Sequence, residues 1–181
     1  MTKAAQLKKA MRTRRLVRFS RRYDKSNTHG YVKAVGPEFF LLLLIDDTIR
    51  FNGFECFRIS DITGLRTDPY SSFVETVLKK RKLKKPSTPR INILSTKRLL
   101  ESGSKAFPLI TIHTERRDPD VCHIGRVTDI DKTYLSFLEI RPGAVWETQM
   151  TRYKLRDITR VSFGGGYEDA LFIVGGEPKA G

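Results

Sequence analysis

The sequence predicts a mainly β protein with short helices, built as two tandem units in which a short helix precedes five short, bent antiparallel strands. Three observations carry that expectation. First, the chain repeats itself: Gly30-Tyr31-Val32-Lys33-Ala34-Val35 is matched by Gly125-Arg126-Val127-Thr128-Asp129-Ile130, and Arg58-Ile59-Ser60-Asp61-Ile62-Thr63 by Lys154-Leu155-Arg156-Asp157-Ile158-Thr159. The front segments align at an offset of 95 and the Asp-Ile-Thr ends at 96, so one inserted residue reconciles them. A period near 95 in a chain of 181 residues makes two small units, not one large one. Second, apolar residues such as Val17 and Phe19 recur with the period of two that a half-buried strand requires. Third, turn chemistry at Asp24-Lys25-Ser26-Asn27, Gly36-Pro37 and Asn52-Gly53 cuts the body into strand-length pieces.

Taken in order, residues 2–13 are good helix formers with Ala4, Leu7 and Met11 on one stripe. Strands are expected at 16–21, 29–36, 38–45, 54–59 and 61–66. The run from Leu41 to Ile45 is apolar on both faces and should be covered on both sides. Asp68 and Pro69 supply an N-cap and a first helical residue for a helix whose apolar face is Phe73, Val74, Val77 and Leu78. Pro86 and Pro89 end that region.

The second unit repeats the plan, with Ser95 capping a helix that Gly103 ends and strands at 107–113, 121–130, 133–140, 150–156 and 157–163. Residues 167–174 finish as a strand or a frayed helix, and 177–181 form a tail. The domain division is 1–78 for the first unit with its basic N-terminal helix, 79–90 for a basic linker and 91–181 for the second unit.

With 39% hydrophobic and 30% charged residues the chain has the balance of a water-soluble globular protein. Its longest apolar run, Phe39 to Ile45, falls far short of the ~18 residues of a membrane span. The N-terminus has charge but no apolar segment behind it, so no secretory signal is read there. Two cysteines, Cys56 and Cys122, do not make a disulfide framework, and a reducing cytoplasm is the expected location.

The net charge of +14 is concentrated in two places. Residues 1–25 carry ten Lys/Arg against the single acid Asp24, and residues 79–90 carry seven against none. The remainder holds 17 basic and 19 acidic residues and is close to neutral. Such a segregated positive patch attracts phosphate backbones through counterion release, although a basic helix and linker also serve solubility alone. The candidate nucleic-acid-binding residues are Arg12, Arg14, Arg15, Arg18, Arg21 and Arg22 in the arm and Lys79, Lys80, Arg81, Lys82, Lys84 and Lys85 in the linker. Arg58 and Lys154, which precede the Asp-Ile-Thr ends, complete the set.

A helix followed by five bent strands, with Gly-x-Val-x-x-Val/Ile ahead of an aromatic and apolar third strand, resembles the Sm-like fold of LSm and Hfq proteins. Gly30 and Gly125 match the glycine at the bend of that family's second strand, where a missing side chain lets the strand curl. Ile130-Asp131-Lys132-Thr133-Tyr134 resembles its first motif. The chain also resembles small uncharacterised bacterial proteins with the same Gly-Tyr/Arg-Val and Asp-Ile-Thr pattern. The resemblance implies two tandem small five-stranded antiparallel Sm-like barrels, each preceded by a short helix, and RNA binding with self-assembly into a homo-oligomer. It does not carry over a base-recognition pocket: Leu135 and Phe40 stand where RNA-binding members have Asn, Gly36 replaces Asp131 in the first repeat, and Ile59 and Leu155 replace the glycine of the second motif.

No catalytic constellation is legible. Cys122 and His123 are adjacent and so point to opposite faces of a strand, which does not make a zinc site with His113. Gly164-Gly165-Gly166 lacks the Lys-Ser/Thr of a phosphate loop and reads as a turn. Stacking of bases on Phe39, Phe40 or Tyr134 competes with packing of those rings in the core. No cofactor and no metal are expected, and the function expected is non-enzymatic binding of nucleic acid, RNA first. The alternative is a structural or protein-interaction module that docks a partner on a strand edge or on the Phe73/Val77 helix.

Overall fold

A computed structural model describes residues 1–24, 26–66 and 69–179, and the chain divides into two compact units, Met1–Pro89 and Arg90–Gly181. Asp68, the expected N-cap of the second helix, lies outside the described residues, as does Lys25.

In the first unit, α1 (Lys3–Thr13) leads into β1 (Leu16–Arg21), β2 (Thr28–Val35), β3 (Phe39–Ile45), β4 (Phe51–Arg58), a 3₁₀ turn at Ile59–Asp61, β5 (Ile62–Arg66) and α2 (Pro69–Lys80). The sheet is antiparallel, in the order β4-β3-β2-β1-β5. The second unit repeats this plan as α3 (Thr96–Ala106), β6 (Ile110–His113), β7 (Cys122–Ile130), β8 (Tyr134–Arg141), β9 (Val145–Trp146), β10 (Thr151–Lys154), a 3₁₀ turn at Leu155–Asp157, β11 (Arg160–Phe163) and α4 (Gly166–Gly175). Its order is β10-β8-β7-β6-β11, with β9 a short addition to β8. The protein is therefore mainly β with short helices. Among the described residues the fourth and fifth strands of a unit do not pair with each other, so each five-stranded sheet is open and not a closed barrel. The 3₁₀ turn is the cause, because it breaks the hairpin path and sends the fifth strand to the first.

Local rules account for most elements. Thr2 caps α1 by accepting the Ala5 N–H at 3.3 Å, and the helix buries Leu7 and Ala10, with Met11 partly covered. These residues join Val17, Phe19, Val32, Phe40, Leu42, Phe57 and Ile62 in the core. There Phe19 meets Phe40 and Phe57 edge-on at centroid distances of 5.3 and 5.2 Å. β3 is buried on both faces from Phe39 to Leu43, as its apolar run requires.

The repeat is visible at the level of single atoms. Lys33 is the extra residue in a bulge between β2 and β3, and Thr128, 95 residues later, is the extra residue between β7 and β8. A Cβ on Gly30 would fall on the carbonyl oxygen of Leu43, and one on Gly125 on that of Leu138. The Asp-Ile-Thr ends fasten the 3₁₀ turn to the end of the first strand. Asp61 pairs with Arg22 at 3.5 Å and Asp157 with Arg117 at 3.4 Å. Ile62 and Ile158 are buried in their units. The Thr63 hydroxyl bonds that of Ser20 at 3.0 Å, while Thr159 donates to Glu115 at 2.8 Å.

Three expectations need correction. The buried face of α2 is Ser71, Val74 and Leu78, three or four apart, and Phe73 points to solvent at 53% exposure. Gly103 does not end α3: the helix continues to Ala106 with Gly103 buried against Phe163, where a small residue suits close packing. Asn52-Gly53 is not a turn between strands but a bulge inside β4, with Gly53 at φ 75°. Of the two expected forms of residues 167–174, strand or helix, the structure has the helix, with Gly165 as N-cap and Glu168 and Asp169 favourably placed in the first turn.

Candidate nucleic-acid interface

The fourteen basic residues singled out in the sequence separate by what they touch. Arg21 is buried, with a side chain that is 0% exposed; its Nε and Nη2 donate to the two oxygens of Asp24 at 2.8 and 2.6 Å, and its guanidinium lies over Phe57. Arg58 is likewise buried, ion-paired with Glu38 and lying over the Phe39 ring. These two correct the expectation, because a buried guanidinium held by a carboxylate and an aromatic face is a structural clamp and is not presented to a phosphate. Arg22 is pinned to Asp61 and to the Ser60 carbonyl, and Arg18 lies over Tyr70. Arg81 donates to the carbonyls of Thr48 and Ile49 at 2.6 and 3.1 Å and so ties the start of the linker to the β3–β4 turn. Arg12, Arg14, Arg15, Lys79, Lys80, Lys82, Lys84 and Lys85 are exposed, and Lys154 is half-buried in the second unit.

Arm and linker meet at one place in the first unit. Arg14, Lys33 and Lys85 line a cleft of about 420 Å³ whose remaining walls are Met11, Tyr31 and Val32. Lys85 holds its ammonium nitrogen 3.4 Å from the centre of the Tyr31 ring. The Tyr31 hydroxyl donates to Glu75 at 3.2 Å, and burial together with that carboxylate pushes its pKa up. Lys33 has its pKa lowered by burial and then by Arg14; Lys85 is lowered by burial and by Lys33, against an opposing effect of Glu75. Among the described residues none of the three cations is ion-paired with a carboxylate. Because Arg81 and Lys85 fold back in this way, residues 79–89 belong to the first unit and are not a free tether. A second cleft, about 270 Å³, opens on the adjacent face of α1 and presents Lys9, Arg15 and Arg66.

Arg14 reaches its position by a conformation that most residues avoid. It ends α1 at φ 52°, its N–H bonded to the carbonyls of Ala10 and Met11, at a place where glycine is favoured. Lys33 and Tyr31 were missed by charge counting, since Lys33 is an isolated cation in a strand. A signal existed nonetheless. Val32 and Val35 both pack on the core although they stand three apart, which a strand of period two permits only with a bulge, and the bulge re-aims Lys33.

The other sequence candidates have structural partners. Phe39 and Phe40 are 0% exposed and belong to the core. Tyr134 is half-buried with Arg152 over its ring at 4.3 Å. Asp131 accepts the N–H groups of Thr133 and Tyr134 at 2.6 and 2.7 Å and pairs with Arg152; the backbone bonds hold its carboxyl below the usual range. His123 bonds Glu139 at 3.1 Å and Tyr153 at 2.8 Å in a compact network. Among the described residues no group of three or more His, Cys, Asp or Glu is placed to hold a metal, and no helix is long and apolar enough to cross a membrane. Comparison with protein-family models, with curated proteins and with solved structures finds no match to this chain.

Proposed function

We propose that this chain is a non-enzymatic nucleic-acid-binding protein, taking RNA in preference to DNA, whose affinity comes mainly from phosphate contacts of the basic arm and linker. The observation that carries the reading is the convergence of Arg14 from the arm, Lys85 from the linker and Lys33 from β2 on one cleft. Like charges repel at such short range, so the arrangement favours an anion that satisfies all three. Arg12, Arg15, Lys79, Lys80, Lys82 and Lys84 are exposed on the same unit and add further phosphate contacts in this reading, whereas Arg21 and Arg58 are left out of the phosphate-binding set. Sequence preference is weak in this reading, because phosphate contacts position a strand without reading its bases.

The finer fold reading belongs to the same proposal. The N-terminal helix, the five antiparallel strands and the side-chain-free bend at Gly30 and Gly125 support Sm-like units, with the self-assembly that the resemblance implies. Two free cysteines, buried Cys56 and exposed Cys122, support a reducing compartment such as the cytoplasm. Titration of the protein with fluorescent single-stranded RNA at low and moderate salt tests the function. Affinity should fall steeply with salt, and absence of binding or binding indifferent to salt overturns the proposal.

One observation favours a second reading, a protein-interaction module. Tyr70 and Phe73 stand 43% and 53% exposed on α2 with ring centroids 5.7 Å apart, an apolar pair without a core role. Replacing the seven basic residues of 79–90 by Gln separates the two readings, since partner docking on α2 survives that change and phosphate binding does not.

A further inference from the structure

We infer that the cleft between Arg14, Lys33 and Lys85 is a subsite for the terminal phosphomonoester of a nucleic-acid strand, in preference to an internal phosphodiester. This rests on the nucleic-acid reading above and says which part of the strand the cleft takes.

Charge balance is the first argument. Three cations line the cleft, and the nearby carboxylate is Glu75, which already accepts the Tyr31 hydroxyl. The surplus is two positive charges. An internal phosphodiester brings one negative charge and leaves one cation uncompensated, whereas a phosphomonoester carries about two above its second pKa near 6. Acceptor count is the second argument. A terminal phosphate offers three strong acceptor oxygens against two unesterified ones in a diester, matching one forked guanidinium and two ammonium groups. Size is the third, since about 420 Å³ admits a phosphate together with part of its sugar. The lowered pKa of both lysines, set first by burial and then by neighbouring cations, fits the same picture, because a dianion would offset both effects. Lys85 comes from the linker and is held against Tyr31, so it adds to the cleft a cation borne by neither α1 nor the sheet.

The experiment compares one short single-stranded RNA sequence in three forms, 5′-phosphorylated, 3′-phosphorylated and hydroxyl-ended, with AMP as competitor because a free mononucleotide presents the same group. At least one phosphorylated form should bind roughly tenfold tighter than the hydroxyl-ended form, the scale of one added charge-assisted contact. The advantage should shrink at about pH 5, where the phosphate becomes a monoanion. It should vanish in Lys33→Gln and in Lys85→Gln, which also bind the hydroxyl-ended RNA more weakly but still with salt dependence, and persist in Lys105→Gln, an exposed lysine of the second unit outside the binding set. Competition by AMP against the phosphorylated RNA alone supports the subsite. Equal, salt-dependent binding of all three RNAs overturns the terminal-phosphate subsite while the nucleic-acid reading stands. Binding of AMP where no RNA binds overturns the strand as source together with that reading.

Discussion

Lys85, on the basic segment that follows α2, stands with its ammonium nitrogen 3.4 Å from the centre of the Tyr31 ring on β2. Since Tyr31 is only 6% exposed and its hydroxyl is tied to Glu75, the ring is a fixed platform and the linker is the part that is held. A cation over an aromatic face contributes about 0.5–2 kcal/mol, depending on how far it is desolvated. Replacing Tyr31 by Leu keeps apolar bulk and removes the face. Tryptic cleavage after Lys84 should then become severalfold faster, Lys85 itself being shielded by Pro86, and the salt slope of RNA binding should fall by about one phosphate. Cleavage at the wild-type rate would mean that the ring does not hold Lys85.

Gly30 and Gly125 are predicted to tolerate no side chain. In both, the added Cβ meets backbone of the neighbouring strand, which cannot swing aside as a flexible side chain would. Gly30→Ala and Gly125→Ala should each cost about 2–3 kcal/mol in urea unfolding, the scale of forced overpacking. Gly143 provides the control: it has a positive φ of 86° but open space around it, so Gly143→Ala should cost only about 1 kcal/mol. Equal losses at the three positions would show that backbone conformation, and not close approach, sets the requirement.

How much of this was legible follows from the range of the forces involved. The repeat and the strand content are local or pairwise patterns, so the strand plan was readable from residues alone, whereas α2 ends at Lys80, short of the stop expected at Pro86. The end of α3 was misplaced because Gly103 is a weak local signal for helix termination, and packing against Phe163 and Ile110 overrides it. Arg21 and Arg58 looked like phosphate ligands because charge is visible in a sequence and partners are not; Asp24 and Glu38 decide their role. Lys33 is the reverse case, an unremarkable cation that acquires a role when a bulge turns it toward Arg14 and Lys85.

The repeated Asp-Ile-Thr ends make equivalent ion pairs in unequal surroundings. Asp61 is 1% exposed where it meets Arg22, whereas Asp157 is 22% exposed beside Arg117. Removing the buried Asp61 carboxylate strips the contacts it makes with Arg22 and the Ser60 hydroxyl inside the unit, which costs about 1–3 kcal/mol, while an exposed pair contributes under about 1 kcal/mol. Asp61→Ala should therefore destabilise the chain by about 2 kcal/mol relative to wild type and by clearly more than Asp157→Ala. Thermal unfolding of the two variants checks the order, and the reverse order would refute the burial argument.

Arg14 sets stability against binding. Its left-handed conformation at the end of α1 costs about 1 kcal/mol in a non-glycine residue. Arg14→Gly should raise the stability of the protein by up to about 1 kcal/mol while weakening RNA binding and lowering its salt slope by about one. Arg14→Ala should weaken binding equally without the gain in stability. A glycine variant that is less stable than the alanine variant would show that the conformation is not strained.

The alkaline limit of binding should lie below the ordinary lysine range. Burial and Arg14 lower the pKa of both Lys33 and Lys85 from 10.5, and Lys33 lowers that of Lys85 further, so the folded protein disfavours their charged forms. In the window between the lowered value and 10.5 the unfolded chain binds more protons than the folded one. The contribution of these two groups to stability therefore rises with pH there. It is small, because both lysines remain in contact with water. Anion binding runs the opposite way, since it needs the ammonium forms and loses them first in this cleft. The Tyr31 hydroxyl, raised by burial and Glu75, stays protonated throughout and does not confuse the titration. Affinity for an oligoadenylate, whose bases do not titrate in this range, should begin to fall below the ordinary lysine value of 10.5 at fixed salt. In the double variant Lys33→Arg, Lys85→Arg the guanidinium groups keep their charge, and the fall should be largely abolished. An equal loss of affinity in wild type and double variant would place the titrating groups outside the cleft.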